Sequence, residues 1–478
     1  MSDRVLVHAL ADDLQVTDAL SRFAQEDFCL LLDSASRPRA RDARYTFLTA
    51  DPVARTRLES VRHGDKPFTC LREWRRRLPH VLRDDVPPFC GGIAGLMSYE
   101  LGAAFERMTT DGIDEFRTPA LLAGLFDWCI VWDHLLQTVQ CWVLQLDDLP
   151  GDVSDSERPA GGDRLQWVLQ RLSDSSPSAP HAGSGQTLAV NPDAKWPTEL
   201  SESVFSDFSR DRYLDAVSRV IEYIRAGDIL QANLSQRLVA PWAGTAEQLF
   251  RRVRECNPAP FCSLLSTPEM AVVSASPERF LHVSQAGLVE TRPIKGTRRR
   301  QKSPIADLFT SDALVASDKD RAENVMIVDL LRNDISRVCR PGSVRVTGLC
   351  EVEAFETVQH LVSTVEGQLR TECDVWDLIS GCFPGGSITG APKIRSMEII
   401  SELEPTVRGA YCGSLFFQGP NGTFDSSILI RTFTLKEGWL QFPVGGGIVA
   451  DSDPRDEYWE TLHKAAGMLK SLATTSSD

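Results

Sequence analysis

The sequence lacks any long hydrophobic run. Its most apolar stretch, LLAGLFDWCIVWDHLL, is interrupted by Asp127 and Asp133 and falls short of the roughly 18 apolar residues that a membrane helix needs. The N-terminus, MSDRVLVHALADDL, has no basic-then-apolar signal pattern. We therefore expect a protein without membrane spans that is located in the cytoplasm.

Closely spaced cysteines are also missing. Of the 12 cysteines, the nearest two, Cys256 and Cys262, are six positions apart. Without a Cys-x-x-Cys pair, the sequence offers neither the usual zinc spacing nor a thioredoxin-like redox site. Twelve cysteines in 478 residues are too few for a disulfide scaffold. We expect reduced thiols.

Positive charge is scarce relative to negative charge. The chain carries 51 Lys and Arg against 66 Asp and Glu, which gives a formal net charge of −15. The basic segment KGTRRRQK is therefore local, in an otherwise acidic chain. Nucleic-acid-binding domains usually show the opposite balance, so this function is disfavoured and no nucleic-acid partner is expected.

The residue pattern divides the chain into three segments and a tail. Residues 1–148 alternate strand-like runs with turns. Residues 149–204 are rich in Ser, Pro, Gly and Asp, as in a flexible linker or insertion, and contain one short predicted helix, RLQWVLQRL. Residues 205–472 mix strands with helices, and residues 473–478 are expected to be disordered. Antiparallel-looking strands beside helices favour an α+β fold. In the third segment, helices are predicted over residues 213–226, 318–333, 392–403 and 455–471.

A glycine-rich loop precedes one of these helices, in CFPGGSITGAPKIRSMEIISELEP. Free backbone N–H groups at a helix start can bind an anion, and we expect a carboxylate here. Gly385 and Gly390 have the spacing of a P-loop, but Lys393 follows Ala-Pro where a P-loop requires Gly-Lys-Ser/Thr. The alternative is a tight turn packed for structural reasons. The spacing that follows predicts one buried helix face, formed by Ile394, Met397, Ile400 and Leu403.

Two acidic pairs lie near predicted helix starts. Asp320 and Glu323 are three residues apart and thus share a helix face. Glu457 and Glu460 repeat this spacing behind Asp453, the predicted N-cap. Carboxylates from two helix starts can converge on Mg²⁺, which prefers oxygen ligands. The alternative is that each pair only interacts with the positive end of its own helix dipole.

The segment VETRPIKGTRRR raises the question of Lys295. It is interpreted as a strand that leads into a Pro-Ile-Lys-Gly turn carrying this lysine. A lysine is nucleophilic only when neutral, and its ordinary pKa of about 10.4 is lowered by burial and by nearby cations. Arg292 and Arg298 lie three residues to either side. Composition alone favours the other interpretation, a solvated surface cation.

Six segments together resemble those of the chorismate-utilising enzymes. They are PIKGT, ENVMIVDLLRNDISRV, CFPGGSITGAPK, GAYCGSLFF, ILIRTF and GGGIVADSDPRDEYWET. This family includes anthranilate synthase component I, aminodeoxychorismate synthase component I, and the isochorismate and salicylate synthases. The resemblance spans residues 205–472, and it continues more loosely in LLLDSAS, ARYTFLTADP and GGIAGLMSYELG. The resemblance implies two antiparallel sheets packed as a sandwich, with helices outside and the site between the sheets.

The resemblance also implies a magnesium site. Glu323 and Glu460 match the direct ligands, and Asp320 and Glu457 match supporting positions. The bound Mg²⁺ would hold the ring carboxylate of chorismate.

Further positions match residues around the substrate. Arg431, Tyr411 and the backbone of Gly445 match positions that hold the enolpyruvyl carboxylate. Ser387 falls where some relatives have Thr in the glycine-rich loop, and His360 matches a histidine near the ring.

Two positions favour one branch of the family. Gln231 stands where isochorismate and salicylate synthases have a water-activating lysine, which disfavours water as the nucleophile. The motif PIKGT is typical of aminodeoxychorismate synthases, whereas anthranilate synthases typically read PIAGT. The resemblance implies that Lys295 attacks C2 of chorismate and that Glu278 protonates the departing C4 hydroxyl. Ammonia would then add at C4 and release the lysine, giving 4-amino-4-deoxychorismate for 4-aminobenzoate and folate synthesis.

Ammonia would come from elsewhere. No Gly-x-Cys-x-Gly turn of a glutaminase is present, and GCFPGG has the wrong spacing. The resemblance therefore implies a separate glutamine amidotransferase subunit. Two alternatives remain, namely anthranilate synthase component I, which shares almost the whole site, and a non-catalytic binding protein on the same fold.

Overall fold

A computed structural model provides the structure of this protein. It describes residues 4–34, 43–79, 81, 85–108, 112–146, 162–174, 188, 190, 195–301, 303–354 and 358–472. The predicted tail and most of the predicted linker lie outside the described residues. No helix within these ranges is both long and apolar enough to cross a membrane.

The α-helices in the described ranges are α1 Val16–Phe23, α2 Thr69–Arg77, α3 Gly162–Ser173, α4 Arg210–Ala226, α5 Ala246–Cys256, α6 Pro304–Val315, α7 Asp318–Ser336, α8 Val375–Cys382, α9 Lys393–Leu403 and α10 Pro454–Leu469. The four helices predicted for the third segment correspond to α4, α7, α9 and α10 within a few residues at each end. Local capping explains two of the helix starts. Ser209 Oγ accepts a hydrogen bond from the Arg212 N–H, and Asp453 caps α10 through the N–H groups of Arg455 and Asp456, as predicted.

The strands are β1 Val5–Ala9, β2 Cys29–Asp33, β3 Tyr45–Thr49, β4 Ala54–Leu58, β5 Gly92–Met97, β6 Leu121–Phe126, β7 Trp128–Asp133, β8 Thr138–Leu144, β9 Trp196–Pro197, β10 Phe205–Ser206, β11 Gln231–Gln236, β12 Leu238–Pro241, β13 Phe261–Ser266, β14 Ala271–Ser276, β15 Arg279–Val283, β16 Leu288–Thr291, β17 Ile294–Arg299, β18 Arg345–Ala354, β19 Val358–Gln368, β20 Gly390–Ala391, β21 Ser414–Gln418, β22 Phe424–Ile428, β23 Thr432–Lys436, β24 Trp439–Gln441 and β25 Val444–Ile448.

The described strands form three antiparallel sheets. The first sheet has the order β1-β8-β7-β3-β2-β13-β14-β23-β24-β12-β10-β9. The second has the order β17-β19-β16-β15-β22-β21-β5-β6-β4, with β18 also paired to β19. A small third sheet, β20-β11-β25, was not predicted. The α+β fold of two antiparallel sheets with helices is confirmed.

Alternating side chains build the core on both faces of the first sheet. In β2, Leu30 belongs to the cluster that also contains residues of the second sheet, whereas Leu31 belongs to the cluster shared with α1, α3 and α5. In β13, Leu265 and Leu264 alternate in the same way. Successive residues of a strand point to opposite faces, so one face packs against the other sheet and the opposite face packs against outer helices.

Both halves of the chain contribute to both large sheets. Strand β2 pairs with β13 in the first sheet, and β5 pairs with β21 in the second. The segments 1–148 and 205–472 therefore share one sandwich.

Part of the predicted linker also belongs to this sandwich. Helix α3 lies on the outer face of the first sheet, where the fully buried Arg164 forms ion pairs with Asp127 (3.0 Å) and Asp51 (2.8 Å). The indole ring of Trp167 contacts Phe23 and Trp128. Strand β9 extends the first sheet at its edge. These portions of residues 149–204 are packed against the fold.

Candidate active site

Two strand-like runs of the sequence each divide between the two large sheets. The run 270–283 supplies β14 to the first sheet and β15 to the second, and Glu278 lies at the crossing. The run 426–435 crosses back between β22 and β23 at Arg431. The crossings are hydrogen-bonded to each other, from Ile428 N to Glu278 O (3.0 Å) and from Ala275 N to Arg431 O (3.1 Å). Two predicted site residues thus meet where the sheets join.

Lys295 lies in strand β17, so its predicted location in a turn is wrong. The strand pairs with β19, and the register shifts between Lys295 and Thr297. Gly296, between them, has φ +75°, a left-handed conformation that glycine adopts without strain. A Cβ at this position would also lie 3.0 Å from the Asp320 side chain. The irregularity replaces the predicted turn and places Lys295 beside helix α7.

Ser387 links Lys295 to Glu278. The Lys295 ammonium donates a hydrogen bond to the Ser387 carbonyl oxygen (3.2 Å). The Ser387 side chain hydrogen-bonds to the buried Glu278 carboxyl, which also accepts from the backbone of Ile294. In the glycine-rich loop, the Ser387 carbonyl accepts a hydrogen bond from Lys295. The sequence had led us to expect that backbone N–H groups of this loop bind an anion.

Burial lowers the pKa of Lys295. The carboxylates of Glu323 and Glu278 oppose this shift, and the ammonium of Lys464 adds to it. Because burial is the largest cause, the neutral amine is more accessible than in an ordinary lysine. This is the condition that a nucleophilic lysine requires.

Burial raises the pKa of Glu278 to about 7. The hydrogen bond from Ser387 and the charge of Lys295 both act against the shift without abolishing it. A carboxyl group with this pKa is partly protonated near neutral pH, so it can donate a proton.

His360 and Arg431 lie on the same side of the site. The His360 ring nitrogen Nδ1 is 2.9 Å from Thr297 Oγ1, and burial followed by the charge of Arg431 lowers the pKa of His360 to about 3. His360 is therefore neutral at physiological pH.

Burial also lowers the pKa of Arg431, and none of the described acidic residues forms an ion pair with it. Its backbone has φ +52°, which is uncommon for a residue other than glycine. A half-buried guanidinium of this kind suits an anionic ligand.

The predicted acidic residues come from the first two turns of α7 and α10. Burial raises the pKa of both Glu323 and Glu457, and each is raised further by a neighbouring carboxylate. Burial is the largest single effect on the pKa of Glu460 and raises it, but the ammonium groups of Lys464 (2.8 Å), Lys319 and Lys295 together lower this pKa below its ordinary value. Asp320 instead pairs with Arg298 at 2.8 Å.

The small sheet forms a floor of glycine backbone under these carboxylates. A Cβ on Gly446 would lie 3.2 Å from Glu457 Oε2 and 3.5 Å from Glu460 Oε1. A Cβ on Gly447 would lie 3.6 Å from Glu323 Oε2 and only 2.0 Å from Gln231 Nε2. The Gln231 side chain is buried, and its Oε1 has no hydrogen-bond partner among the described residues. Because Gly446 and Gly447 of β25 have no side chains, space stays open beside the carboxylates.

The donor set fits Mg²⁺ without forming a closed cage. In the described part of the chain, no three His, Cys, Asp or Glu side chains are gathered tightly enough to constitute a metal cluster. Magnesium commonly takes only one or two protein carboxylates and retains waters for a substrate to replace. Glu460 and Glu323, which face adjoining glycines, match that requirement.

Gly445 lies beside the acidic residues of the site, whereas Tyr411 lies beside Arg408. The Gly445 carbonyl accepts a hydrogen bond from Lys464 Nζ (2.8 Å), which brings it to the edge of the carboxylate group. Tyr411 is buried with its ring 5.9 Å from the guanidinium carbon of Arg408. The structure describes no contact that brings Tyr411 to Arg431, so their predicted convergence stays a prediction.

Two lysines at the site were missed in the sequence. Lys464 contacts Glu460 and Gly445, and Lys319 Nζ lies 3.6 Å from Glu457 Oε1. The spacing of four between Glu460 and Lys464 was the available signal, but it is typical of any exposed helix.

The predicted apolar face of α9 is partly wrong. Met397 and Ile400 are buried and Leu403 is half-buried, but Ile394 is exposed.

A separate cavity of about 260 Å³ lies between the two large sheets. It is lined on one side by Leu32, Asp33 and Ser34 and on the other by Phe417 and Asp425. None of the predicted catalytic residues lines it.

Comparisons with known proteins identify the family of this chain. The family described as chorismate binding enzyme matches residues 27–470. The chain is 38% identical over 464 residues to aminodeoxychorismate synthase component 1 of Klebsiella aerogenes, covering 95% of each chain. It is also 38% identical over 471 residues to anthranilate synthase component 1 of Thermus thermophilus, covering 97% of this chain and 96% of the relative.

A solved structure gives the same result for the fold. The crystal structure of anthranilate synthase component I from Streptococcus pneumoniae TIGR4 matches with a TM-score of 0.73 and 29% identity, covering 90% of this chain and 93% of that chain. With the matched segment reaching from β2 to the end of α10, this chain belongs to the chorismate binding enzyme family.

Proposed function

We propose that this protein is an aminodeoxychorismate synthase component 1, which converts chorismate and ammonia to 4-amino-4-deoxychorismate and water. The observation that carries the proposal is the position of Lys295. Its amine is partly buried, has a lowered pKa, and is joined through Ser387 to the Glu278 carboxyl. A nucleophile and a proton donor are therefore adjacent.

In the first step, the neutral amine of Lys295 attacks C2 of chorismate. Both ring double bonds shift, from C1=C2 and C5=C6 to C1=C6 and C4=C5, and the bond from C4 to its hydroxyl breaks. Glu278, with a pKa of about 7, supplies the proton that allows this hydroxyl to leave as water. Hydroxide alone is a poor leaving group, so the step needs an acid at this place.

In the second step, ammonia adds at C4 and both double bonds shift back. The bond between C2 and Lys295 breaks and releases the neutral amine. A proton passes from the new ammonium group at C4 to the Glu278 carboxylate, which restores the acid used in the first step. Dividing one difficult displacement into two steps is the advantage of a covalent intermediate. The enolpyruvyl group is retained throughout.

Other residues of the site bind and orient the substrate. The half-buried cation of Arg431 offers an ion pair to the enolpyruvyl carboxylate. The neutral ring of His360, held by Thr297, presents a polar surface to the chorismate ring without adding charge. The uncharged Gln231 leaves the small sheet without a base that could activate water.

The carboxylates are proposed as a magnesium site. Glu323 and Glu460 would hold the ion, with Asp320 and Glu457 in support. When bound, Mg²⁺ neutralises and polarises the ring carboxylate of chorismate. Burial, with a smaller contribution from neighbouring carboxylates, raises the pKa of Glu323 and of Glu457, so a bound cation would stabilise their charged forms.

The ammonia source is proposed to be a second subunit. Both relatives are the component 1 of their synthases, which implies a second component. We propose that this component is a glutamine amidotransferase that releases ammonia from glutamine. Free ammonium should replace it in vitro at alkaline pH.

The main alternative is anthranilate synthase component I. The Klebsiella and Thermus relatives are equally identical to this chain, so overall similarity does not separate the two activities. Lys295 favours amination at C4, because an amine at C2 occupies the carbon at which anthranilate synthesis would place ammonia.

The decisive experiment is product analysis. Purified protein is incubated with chorismate, Mg²⁺ and ammonium at alkaline pH, and products are identified by mass spectrometry and a pyruvate assay. Aminodeoxychorismate without pyruvate supports the proposal. Anthranilate with pyruvate would overturn it. A parallel reaction with a chelator, followed by restoration with Mg²⁺, tests the metal.

A further inference from the structure

The motif Gly-Ala-Pro-Lys contains a lysine that the proposed mechanism does not use. Lys393 is almost fully buried, and its ammonium donates to Asp334 Oδ2 (2.6 Å) and to the carbonyl oxygen of Cys382 (2.8 Å). Asp334 is equally buried. A buried ion pair of this kind is costly unless its partners satisfy it, so its presence calls for an explanation.

Neither charge suits its own helix. Lys393 is the first residue of α9, at the positive end of the helix dipole, and Asp334 lies in the last turn of α7, at the negative end. Each residue therefore disfavours the helix that carries it. The arrangement is explained by the contact between the two helices and not by the stability of either one.

The contact closes the base of the glycine-rich loop. Cys382 is the last residue of α8, and Lys393 begins α9, so the hydrogen bond between them joins the two ends of the loop 383–392. The ion pair fixes these ends to α7, which carries Glu323 at its other end. Inside the loop, a Cβ on Gly386 would lie 2.6 Å from the Leu330 side chain, so the loop also packs closely on α7.

The loop in turn positions the nucleophile. Its Ser387 carbonyl accepts the hydrogen bond from Lys295, and its Ser387 side chain contacts Glu278. When the neutral amine donates one N–H to this carbonyl, its lone pair is directed elsewhere. A displacement of the loop by about 1 Å is enough to reduce a rate severely, because the lone pair must align with C2.

We infer that the Lys393–Asp334 ion pair is a clamp that holds the loop 383–392 so that Ser387 orients Lys295 and Glu278. Lys393 is thus a positioning residue, separated from the reacting atoms by one loop. This inference rests on the proposed role of Lys295. It assigns a function to Lys393, which follows Ala-Pro at the place where a P-loop has Gly-Lys-Ser/Thr.

The test compares Lys393→Met with a matched control, Lys436→Met. Lys436 also donates to a backbone carbonyl, that of Phe116 (2.9 Å), but outside the site. Lys393→Met should lower kcat by about tenfold or more while changing KM for chorismate less than about twofold. The control should change neither constant.

A double variant separates positioning from stability. Asp334→Leu combined with Lys393→Met removes both charges, and such replacements often restore the stability that a single change removes. We expect the double variant to unfold at about the wild-type denaturant concentration and still to have the low kcat. Recovery of kcat together with stability would overturn the inference, and so would a single variant with wild-type kcat. If Lys393→Met does not fold, the double variant carries the test.

Hydrogen exchange gives a readout that does not depend on the product. Amides in a peptide covering 383–392 should exchange about tenfold faster in the double variant than in Lys436→Met, because the loop ends are no longer joined. Unchanged exchange would overturn the clamp. The product of the wild-type protein separately tests the proposed function, so the two failures are distinguishable.

Discussion

At the residue scale, the candidate site contains two groups whose pKa values are shifted from their ordinary range. Burial lowers the pKa of Lys295 and raises that of Glu278 to about 7. Both shifts favour the neutral forms, an amine and a carboxylic acid, that the first step requires. Ser387 contacts both Lys295 and Glu278 and keeps the two groups adjacent.

Removal of the nucleophile should abolish turnover but not binding. Lys295→Ala is expected to lower kcat with saturating ammonium by on the order of 10²-fold or more, because no other amine is placed at C2. The dissociation constant for chorismate, measured by equilibrium titration, should stay within about twofold. Lys436→Ala serves as the control. An alanine variant with full activity would exclude the covalent role.

The raised pKa of Glu278 predicts a pH-dependent rate. Since the acid form is needed, kcat at saturating free ammonia should fall as the pH rises through about 7, and Glu278→Gln should remove this limb together with the activity. A pH profile measured with both proteins checks this. A wild-type kcat that stays constant from pH 6 to about 9 would contradict the assignment.

The same shift predicts a gain in stability from that substitution. A carboxyl with a folded pKa above its unfolded value contributes stability at low pH, and this is lost as the pH rises from about 4.5 to about 7. At pH 8, Glu278→Gln should therefore raise the free energy of unfolding by about 1–3 kcal/mol. Chemical denaturation checks the value, with the exposed Glu269→Gln as a control that should change little.

At the element scale, the glycine strand β25 sets the space available beside the carboxylates. A methyl group on Gly447 would overlap the Gln231 amide at 2.0 Å and approach Glu323 at 3.6 Å. Backbone and side chains would have to shift in the place where the substrate and metal are proposed to bind.

Gly447→Ala should therefore lower kcat/KM by about 10–100-fold while the protein still folds. Gly162→Ala is a suitable control, because nothing lies within 4 Å of a Cβ at that position. Steady-state kinetics with varied Mg²⁺ would show whether metal affinity changes too. Equal kinetics for the two variants would show that the glycine floor is not needed.

Helix α3 should stabilise the first sheet through a single buried residue. Arg164→Ala leaves Asp127 buried without its partner, which typically costs about 3–5 kcal/mol. Arg171→Ala, on the same helix but with a partly exposed pair to Glu26, should cost less than about 1 kcal/mol. Urea unfolding of both variants measures the difference. A small effect at Arg164 would mean that the helix is a dispensable addition.

At the scale of the whole molecule, the sandwich is shared between distant parts of the chain. Strand β2 depends on β13, and β5 depends on β21. The N-terminal segment 1–148 therefore lacks neighbours for strands of both sheets when it is alone.

A fragment of residues 1–148 should not fold by itself. Unpaired strand edges and half of a core would be left exposed, which favours unfolding or aggregation. Circular dichroism and a denaturant titration of the fragment, with the full chain for comparison, check this. A cooperative unfolding transition in the isolated fragment would contradict it.

The sequence predicted helices α3, α4, α7, α9 and α10, the α+β class and the family, because these depend on local patterns. Asp453 could be recognised as an N-cap, since a cap acts within three residues. The PIKGT motif singled out Lys295 in the same way. The sequence could not predict features formed by residues far apart in the chain. One example is the contact between Lys295 and Ser387, which are separated by 92 positions.

By itself, the sequence determined the family motifs and predicted which residues carry the proposed chemistry, and the tertiary structure decided how those residues meet. The bulge at Gly296, the crossings at Glu278 and Arg431 and the small sheet depend on pairings between distant strands. Burial, which sets the charge states of Lys295 and Glu278, is likewise a property of everything packed around them. A local pattern specifies a side chain and its helix or strand, but only the folded chain removes that side chain from water.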